Sequence, residues 1–141
     1  VLVCMIQWKD HMNRSPLPTR DDIDLMWNGV GTSEDFIKGG SITNWTSTNS
    51  YGQVTLEATV IDWYQTDDTE KYYADGRSAV PNGEDTADLL ELEAIAPLLT
   101  KLDQDGFDFS EFDLNDDKVL DTVVFVHSGY PAELGNPDCE T

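Results

Sequence analysis

An acidic loop that leads directly into an apolar strand pattern is the feature that most constrains this sequence. Residues 107–130 read FDFSEFDLNDDKVLDTVVFVHSGY. Oxygen-bearing side chains stand at positions 1, 3, 5 and 9 of a loop, which is the order in which a chain wraps ligands around calcium; they belong to Asp113, Asn115, Asp117 and Asp121. Val119 stands at position 7, where a backbone carbonyl serves as a ligand. The spacing therefore predicts a bound calcium ion.

The loop departs from an EF-hand at two positions. Lys118 stands where that motif has a glycine for its sharp turn, and Val124 stands where it has a bidentate glutamate. Further ligands would have to come from elsewhere, and Asp108 and Glu111 are the nearest candidates. The alternative is an Asp-rich turn without a metal, because Asp and Asn side chains bond their own backbone in turns.

Charge limits the partners that the chain can have. It carries 28 acidic and 8 basic residues, a net charge of −20, and 39% of its 141 residues are hydrophobic, which predicts one domain with a real core. We expect no nucleic-acid partner, because phosphate binding requires clustered Lys and Arg, and no binding to an anionic membrane surface for the same reason. Bound divalent cations or a salty external medium would offset the repulsion among carboxylates, and an ordinary acidic surface is the simpler alternative.

Targeting signals and cysteines leave the cell compartment open. No run approaches the roughly 20 apolar residues that span a bilayer, and no signal-peptide pattern is present. The sequence begins within a strand pattern and ends irregularly, so we expect a piece of a longer protein. Cys4 and Cys139 could form a disulfide, or Cys4 could be a buried thiol while Cys139 pairs elsewhere.

Strand and helix patterns alternate along the chain, which predicts an α/β fold with a mixed twisted sheet and packed helices. The patterns predict strands at 1–8, 53–64 and 119–126. They predict a short helical turn at 21–27, a helix capped by Ser41 that runs to about residue 48, and an amphipathic helix at 84–102 kinked at Pro97. Loops are expected at 14–22, 28–40 and 65–83.

Two segments and a tyrosine pair carry a resemblance to a known family. They are GGSITNWTSTNSYGQVTLEATVIDWY at 39–64, Tyr72 with Tyr73, and DFSEFDLNDDKVLDTVVFVHSGYPAE at 108–133. Together they resemble the N-terminal half of the catalytic domain of immune inhibitor A-like secreted zinc metallopeptidases, over about half of the chain. Lys118 and Pro131 depart from the family pattern, which has glycine at both places.

The resemblance implies that residues 1–141 form a single partial zincin-like domain of a secreted, extracellular endopeptidase that acts on protein or peptide substrates. Zinc hydrolysis needs an H-E-x-x-H helix, in which two histidines hold the metal and the glutamate acts as general base. This sequence lacks that motif, and its histidines are His11 and His127. We therefore expect the zinc site, and the remainder of the catalytic domain as partner, beyond residue 141, and we expect the chain alone to be proteolytically inactive. A non-catalytic calcium-binding or adhesion module on the same scaffold is the alternative.

Several other residues invite a functional interpretation. His127 and Glu133 lie at or after the end of the last predicted strand, where α/β domains often carry function, but a structural role is favoured because no base or metal ligand neighbours them in sequence. The large aromatic residues are expected to anchor core and loops and not to form a carbohydrate platform; they are Trp27, Trp45, Trp63 and Tyr51. Asn44-Trp45-Thr46 and Asn13-Arg14-Ser15 match the glycosylation sequon.

Overall fold

The computed structural model describes residues 1–30, 38–74 and 90–129, and these form a three-stranded parallel sheet with four α-helices. The strands are β1 (Leu2–Gln7), β2 (Thr59–Gln65) and β3 (Val123–His127), in the order β2-β1-β3. The helices are α1 (Arg20–Asn28), α2 (Ile42–Asn49), α3 (Glu70–Ala74) and α4 (Ala96–Gln104). The α/β prediction is confirmed, but the expected mixed sheet is wrong for the described strands, which run parallel.

The central strand β1 forms where the sequence is continuously apolar. Leu2 to Ile6 are at most 1% exposed, as expected for a strand of a parallel sheet that is covered on both faces. Bonds at the start of β1 reach both sides: Thr59 N of β2 donates to Val1 O at 2.9 Å, and Leu2 N donates at 3.2 Å to the carbonyl of Thr122, which directly precedes β3. The predicted strand at 1–8 is confirmed.

The second strand begins later than the alternation at 53–64 predicts. Side chains hold the backbone before it: Val54 N donates to Ser50 Oγ at 3.0 Å, and Thr43 Oγ1 donates to Leu56 O at 2.6 Å. Asn28 bonds both the N–H and the C=O of Ala58. Because these groups are engaged by side chains, residues 53–58 do not join the sheet.

The third strand also begins later than predicted. Residues 119–122 belong to the acidic loop, where Val119 N donates to Asp117 Oδ1 at 2.9 Å and Asp121 N donates to Phe112 O at 2.9 Å. Val119 is exposed. Strand β3 therefore starts at Val123, where the loop's internal hydrogen bonds end.

The first two helices begin at side-chain caps. Thr19 and Asp22 form a capping box, in which each side chain accepts the other's backbone N–H. The Thr19 hydrogen bonds lower the pKa of Asp22. Ser41 Oγ accepts Asn44 N at 3.1 Å, which confirms the predicted cap of α2.

The amphipathic segment predicted at 84–102 is interrupted near its proline. A π-helical turn at Glu91–Ile95 precedes α4, and Ala96 N donates to Glu91 O. Pro97 follows at the start of α4, where it has no N–H to donate to the preceding turn. Residues 84–89 lie outside the described residues, and the short helix α3 occupies part of the loop predicted at 65–83.

The chain divides into two compact units, each with its own buried residues. The first unit comprises 1–5, 16–63 and 112–126, and the second comprises 6–15, 64–111 and 127–141. The core of the first contains Val3, Met5, Ile23, Trp27, Ala58 and Val60. In the second, Trp8 stacks on Tyr73 with ring centroids 5.3 Å apart, and Ala94 and Leu98 are buried. None of the helices in the described ranges is long and apolar enough to cross a membrane.

Cys4 is a free thiol that is fully buried in β1, in keeping with the buried-thiol alternative, whereas Cys139 lies outside the described residues. Burial raises the pKa of Cys4 from its ordinary value of 9.0 to about 11. The thiol therefore stabilises the folded state fully below pH 9, and that contribution is lost as the pH rises through about 11.

We expect the free energy of unfolding to fall as the pH rises from 9 to above 11, by up to about 2.7 kcal/mol from Cys4 alone. Urea unfolding across this pH range measures the effect. The Cys4→Ala variant is the control, because it lacks the thiol but retains Tyr64 and Tyr73, whose pKa values burial also raises. Identical pH profiles for the two proteins would contradict the assignment to Cys4.

Candidate functional site

In the acidic loop, the side chain of the first residue, Asp113, accepts hydrogen bonds from backbone N–H groups further along the loop. Asp113 Oδ1 accepts Asp117 N at 3.0 Å, and Asp113 Oδ2 accepts Lys118 N at 2.8 Å. Asn115 Oδ1 also accepts Asp117 N, at 3.1 Å. The side chains at positions 1 and 3 are therefore held together by the backbone N–H of position 5.

The last acidic side chain of the loop returns to its beginning. Asp121 Oδ2 accepts Leu114 N at 2.7 Å, while Asp121 N donates to Phe112 O at 2.9 Å. The residue after Asp121 bonds the central strand, through Thr122 O and Leu2 N. The loop is thus closed by Asp121 and joined at this end to the sheet.

Lys118 adopts the conformation that a glycine would adopt at position 6. Its φ is 69°, and Asp116 also has a positive φ, of 57°. A lysine in this region costs roughly 1–2 kcal/mol, and its ammonium pairs with the Asp116 carboxylate. Although Lys118 stands where the EF-hand pattern has a glycine, the sharp turn therefore still forms.

The chemistry of the loop suits a hard cation, although its carboxylates now bond backbone amides. Carboxylate, amide and carbonyl oxygens are the ligands that calcium prefers, and the loop offers all of them through Asp113, Asn115 and Val119. Within the three described ranges, three or more His, Cys, Asp or Glu side chains are nowhere grouped around one point as a metal ion requires. The loop is therefore a candidate by its turn and its ligand order.

The side chain of Asp108 bonds Ser110, which precedes the acidic loop. Its Oδ1 accepts Ser110 N at 2.9 Å and Ser110 Oγ at 2.7 Å, at the start of the 3₁₀ helix Phe109–Phe112. The hydroxyl of Ser110, followed by its backbone N–H, lowers the pKa of Asp108. These contacts lie within the turn of Asp108 itself, and its role as a calcium ligand stays a prediction.

A second group of polar side chains is buried in the second unit, and we call His11, Glu70 and Ser128 the strand-end cluster. Ser128 Oγ lies 3.0 Å from His11 Nδ1, and His11 Nε2 lies 3.3 Å from Glu70 Oε2. Trp8 N donates to Ser128 Oγ at 3.0 Å. Trp8 and Ser128 directly follow β1 and β3, and Glu70 begins α3.

The order hydroxyl, imidazole and carboxylate is that of nucleophilic hydrolases, but burial opposes such a role here. Each of the three residues is at most 6% exposed. The Ser128 oxygen also accepts the Trp8 N–H, so it is held by backbone at the end of the strand. We therefore interpret the strand-end cluster as a buried polar network that joins β1, α3 and β3.

Sequence reasoning considered His127 and missed the strand-end cluster. His127 is exposed, and its Nδ1 accepts Gly129 N at 3.1 Å, in agreement with the structural role that was favoured. Glu133 lies outside the described residues. Polar residues that directly follow parallel strands were the available signal, because the carboxyl ends of such strands meet at one edge of the sheet.

The large aromatic residues divide into two groups. Trp27 lies in the core of the first unit, and the partly buried Trp63 donates Nε1–H to Pro18 O at 2.9 Å. Trp45 and Tyr51, in contrast, are 64% and 92% exposed. The prediction that all of them anchor core and loops is wrong for these two.

Comparison with known proteins adds no family assignment. No protein-family model matches the chain, and no match was found among curated proteins. The resemblance to immune inhibitor A-like metallopeptidases therefore stays a prediction, and the function has to be argued from the residues themselves.

Proposed function

We propose that this chain is the upstream part of the catalytic domain of a secreted, zincin-like zinc endopeptidase, and that its acidic loop binds a structural calcium ion. The observation that carries the calcium proposal is the turn at 113–121, in which Lys118 takes the glycine conformation and the side chains at positions 1 and 3 both accept the backbone N–H of position 5. The endopeptidase assignment is supported by the resemblance of segments 39–64 and 108–133.

Calcium would act on the sheet through the end of the loop. An ion held between Asp113 and Asp121 would neutralise carboxylates that otherwise repel one another. Thr122, the next residue, bonds the central strand through its carbonyl. Calcium is therefore expected to stabilise the pairing of β3 with β1, without any part in the chemistry of peptide hydrolysis.

Addition of calcium at 100 times its Kd is expected to stabilise the chain by about 2.7 kcal/mol, because the ion binds only the folded loop. This corresponds to a rise of several degrees in Tm. Thermal melting at moderate salt, with calcium and then with excess chelator, measures the change. Moderate salt is used so that general charge screening is the same in both samples.

Asp117→Ala is expected to remove most of the calcium response, since it deletes a predicted ligand. Asp103→Ala is the matched control, because Asp103 is an exposed aspartate in α4, outside the loop. The control should keep the full response. A melting curve that chelator leaves unmoved would mean that the loop is only a turn, and the calcium proposal would fail.

The endopeptidase assignment requires a zinc site that this chain does not itself supply. The sequence has no H-E-x-x-H motif, and the imidazole of His11 lies within the buried strand-end cluster. Zinc would polarise the peptide carbonyl and activate a water molecule once ligands beyond residue 141 held it. We expect the purified 141-residue chain to cleave no peptide in the presence of zinc.

The parent transcript, read onward from the Thr141 codon for roughly 100 to 200 residues, tests the assignment. An H-E-x-x-H motif in the encoded segment, with zinc-dependent cleavage by the extended polypeptide, is the expected result. A reading frame without the motif would overturn the assignment in favour of a non-catalytic calcium-binding or adhesion module. Zinc-dependent cleavage by the 141-residue chain itself would overturn it in the opposite direction.

A further inference from the structure

Residues 39–56 are a segment without charged side chains in a strongly acidic chain, and we call this segment the neutral face. It contains no Asp, Glu, Lys, Arg or His, although 26% of the whole sequence is charged. It comprises α2, its N-terminal cap and the turn and extended segment that follow it. Within this segment an ionic ligand would find no side chain of opposite charge, so an uncharged ligand is favoured.

On one side of α2, Trp45 is exposed and does not pack in the core. Asn44 and Thr48, and likewise Trp45 and Asn49, are four residues apart, so they share one side of the helix. All of them are exposed. The opposite side is the packed one, where Thr43 and Ser47 are partly buried. Trp45 therefore presents its ring to solvent among amide and hydroxyl groups.

Tyr51 is exposed on a backbone that favours glycine. Its φ is 55° and its side chain is 92% exposed, while Gly52 N closes the end of the helix by donating to Ser47 O at 2.8 Å. A tyrosine in this conformation costs roughly 1–2 kcal/mol. An exposed ring contributes no core packing to offset this cost, and strain of this kind is characteristic of functional positions.

Side-chain hydrogen bonds fix the backbone of the neutral face. Asn49 Nδ2 donates to Trp45 O at 2.8 Å, Ser50 Oγ accepts Val54 N at 3.0 Å, and Thr43 Oγ1 donates to Leu56 O at 2.6 Å. These bonds fix the backbone that carries both exposed rings. A preorganised surface loses little conformational entropy on binding.

We propose that the neutral face binds an uncharged polysaccharide. The C–H faces of sugar rings are apolar and suit aromatic rings such as those of Trp45 and Tyr51. The sugar hydroxyls suit the side-chain amides and hydroxyls beside them, such as Asn44, Thr48 and Asn49. A protein partner or a second copy would favour an apolar centre, whereas the neighbours of Trp45 on α2 are polar. This inference does not depend on the proposed peptidase function.

The test is native affinity electrophoresis of the 141-residue chain through gels that contain hydroxyethylcellulose, galactomannan or alginate. We expect retardation by at least one of the two neutral polysaccharides and none by anionic alginate. Trp45→Ala and Tyr51→Gly should each weaken the retardation roughly tenfold or more, because exposed Trp and Tyr anchors dominate such contacts. Tyr51→Gly suits the positive φ, so its loss of binding cannot be ascribed to unfolding.

Tyr72→Ala is the matched control. Tyr72 is also an exposed aromatic residue, but it lies outside the neutral face and its hydroxyl donates to Glu93 Oε2 at 2.8 Å. This variant should be retarded like the original chain. Absence of retardation by both neutral polysaccharides, equal retardation by alginate, or an equal loss in Tyr72→Ala would overturn the proposal. Conversion of a dimer to a monomer by Trp45→Ala would also overturn it, because the face would then bind a second copy.

Discussion

Replacement of Glu70 by alanine is expected to lower the free energy of unfolding by about 3 kcal/mol, through the loss of a buried partner and the cavity it leaves. The Glu70 side chain is only 6% exposed, and its Oε2 lies 3.3 Å from His11 Nε2. The backbone N–H of Glu70 is held in turn by Asp10 Oδ1 at 3.1 Å. Urea unfolding at pH 7 measures the loss.

Two further variants distinguish the effect of burying the Glu70 side chain from the effect of its charge. Glu93→Ala removes an exposed glutamate whose contact is the Tyr72 hydroxyl, and it should change the free energy of unfolding by about 0.5 kcal/mol or less. Glu70→Gln keeps the size of the side chain and removes its charge, so it should lose less than Glu70→Ala. If Glu70→Ala lost no more than Glu93→Ala, the strand-end cluster would not hold the strand ends together.

Elements that rest on local chemistry were predictable from the sequence. The uninterrupted apolar run of β1 and the cap at Ser41 depend on neighbouring residues, and both are confirmed. The ligand order of the acidic loop was equally visible, because it depends only on spacing along the chain. The left-handed conformation of Lys118 could not be predicted from the sequence, because the surrounding hydrogen bonds impose it and a lysine does not by itself indicate it.

Features that depend on distant residues could not be predicted in this way. The start of β2 is set by Asn28, which bonds the backbone of Ala58 thirty residues further along the chain. The strand-end cluster joins His11 to Ser128 across 117 residues. The exposure of Trp45 and Tyr51 was likewise missed, because the expectation that aromatic rings are buried ignores which side of α2 packs against the core.

Gly129 connects the strand-end cluster to the backbone after β3, and it leaves no room for a side chain. A Cβ at this position would lie 1.8 Å from Glu70 Oε1 and 2.9 Å from Trp8 Nε1. Glu70 is buried, so its carboxylate cannot move aside without leaving its position beside His11. We expect Gly129→Ala to lower the free energy of unfolding by about 3 kcal/mol, at the upper end of overpacking effects.

Gly39→Ala is the control for Gly129→Ala, because a Cβ at Gly39 would meet nothing within 4 Å. It should leave the free energy of unfolding within about 0.5 kcal/mol of the original value. The double variant Gly129→Ala with Glu70→Ala then tests the cause. Since the truncated residue 70 no longer meets the new methyl group, the two losses should be less than additive by about 1 kcal/mol or more. Full additivity would mean that Gly129→Ala acts through the backbone and not through the Glu70 carboxylate.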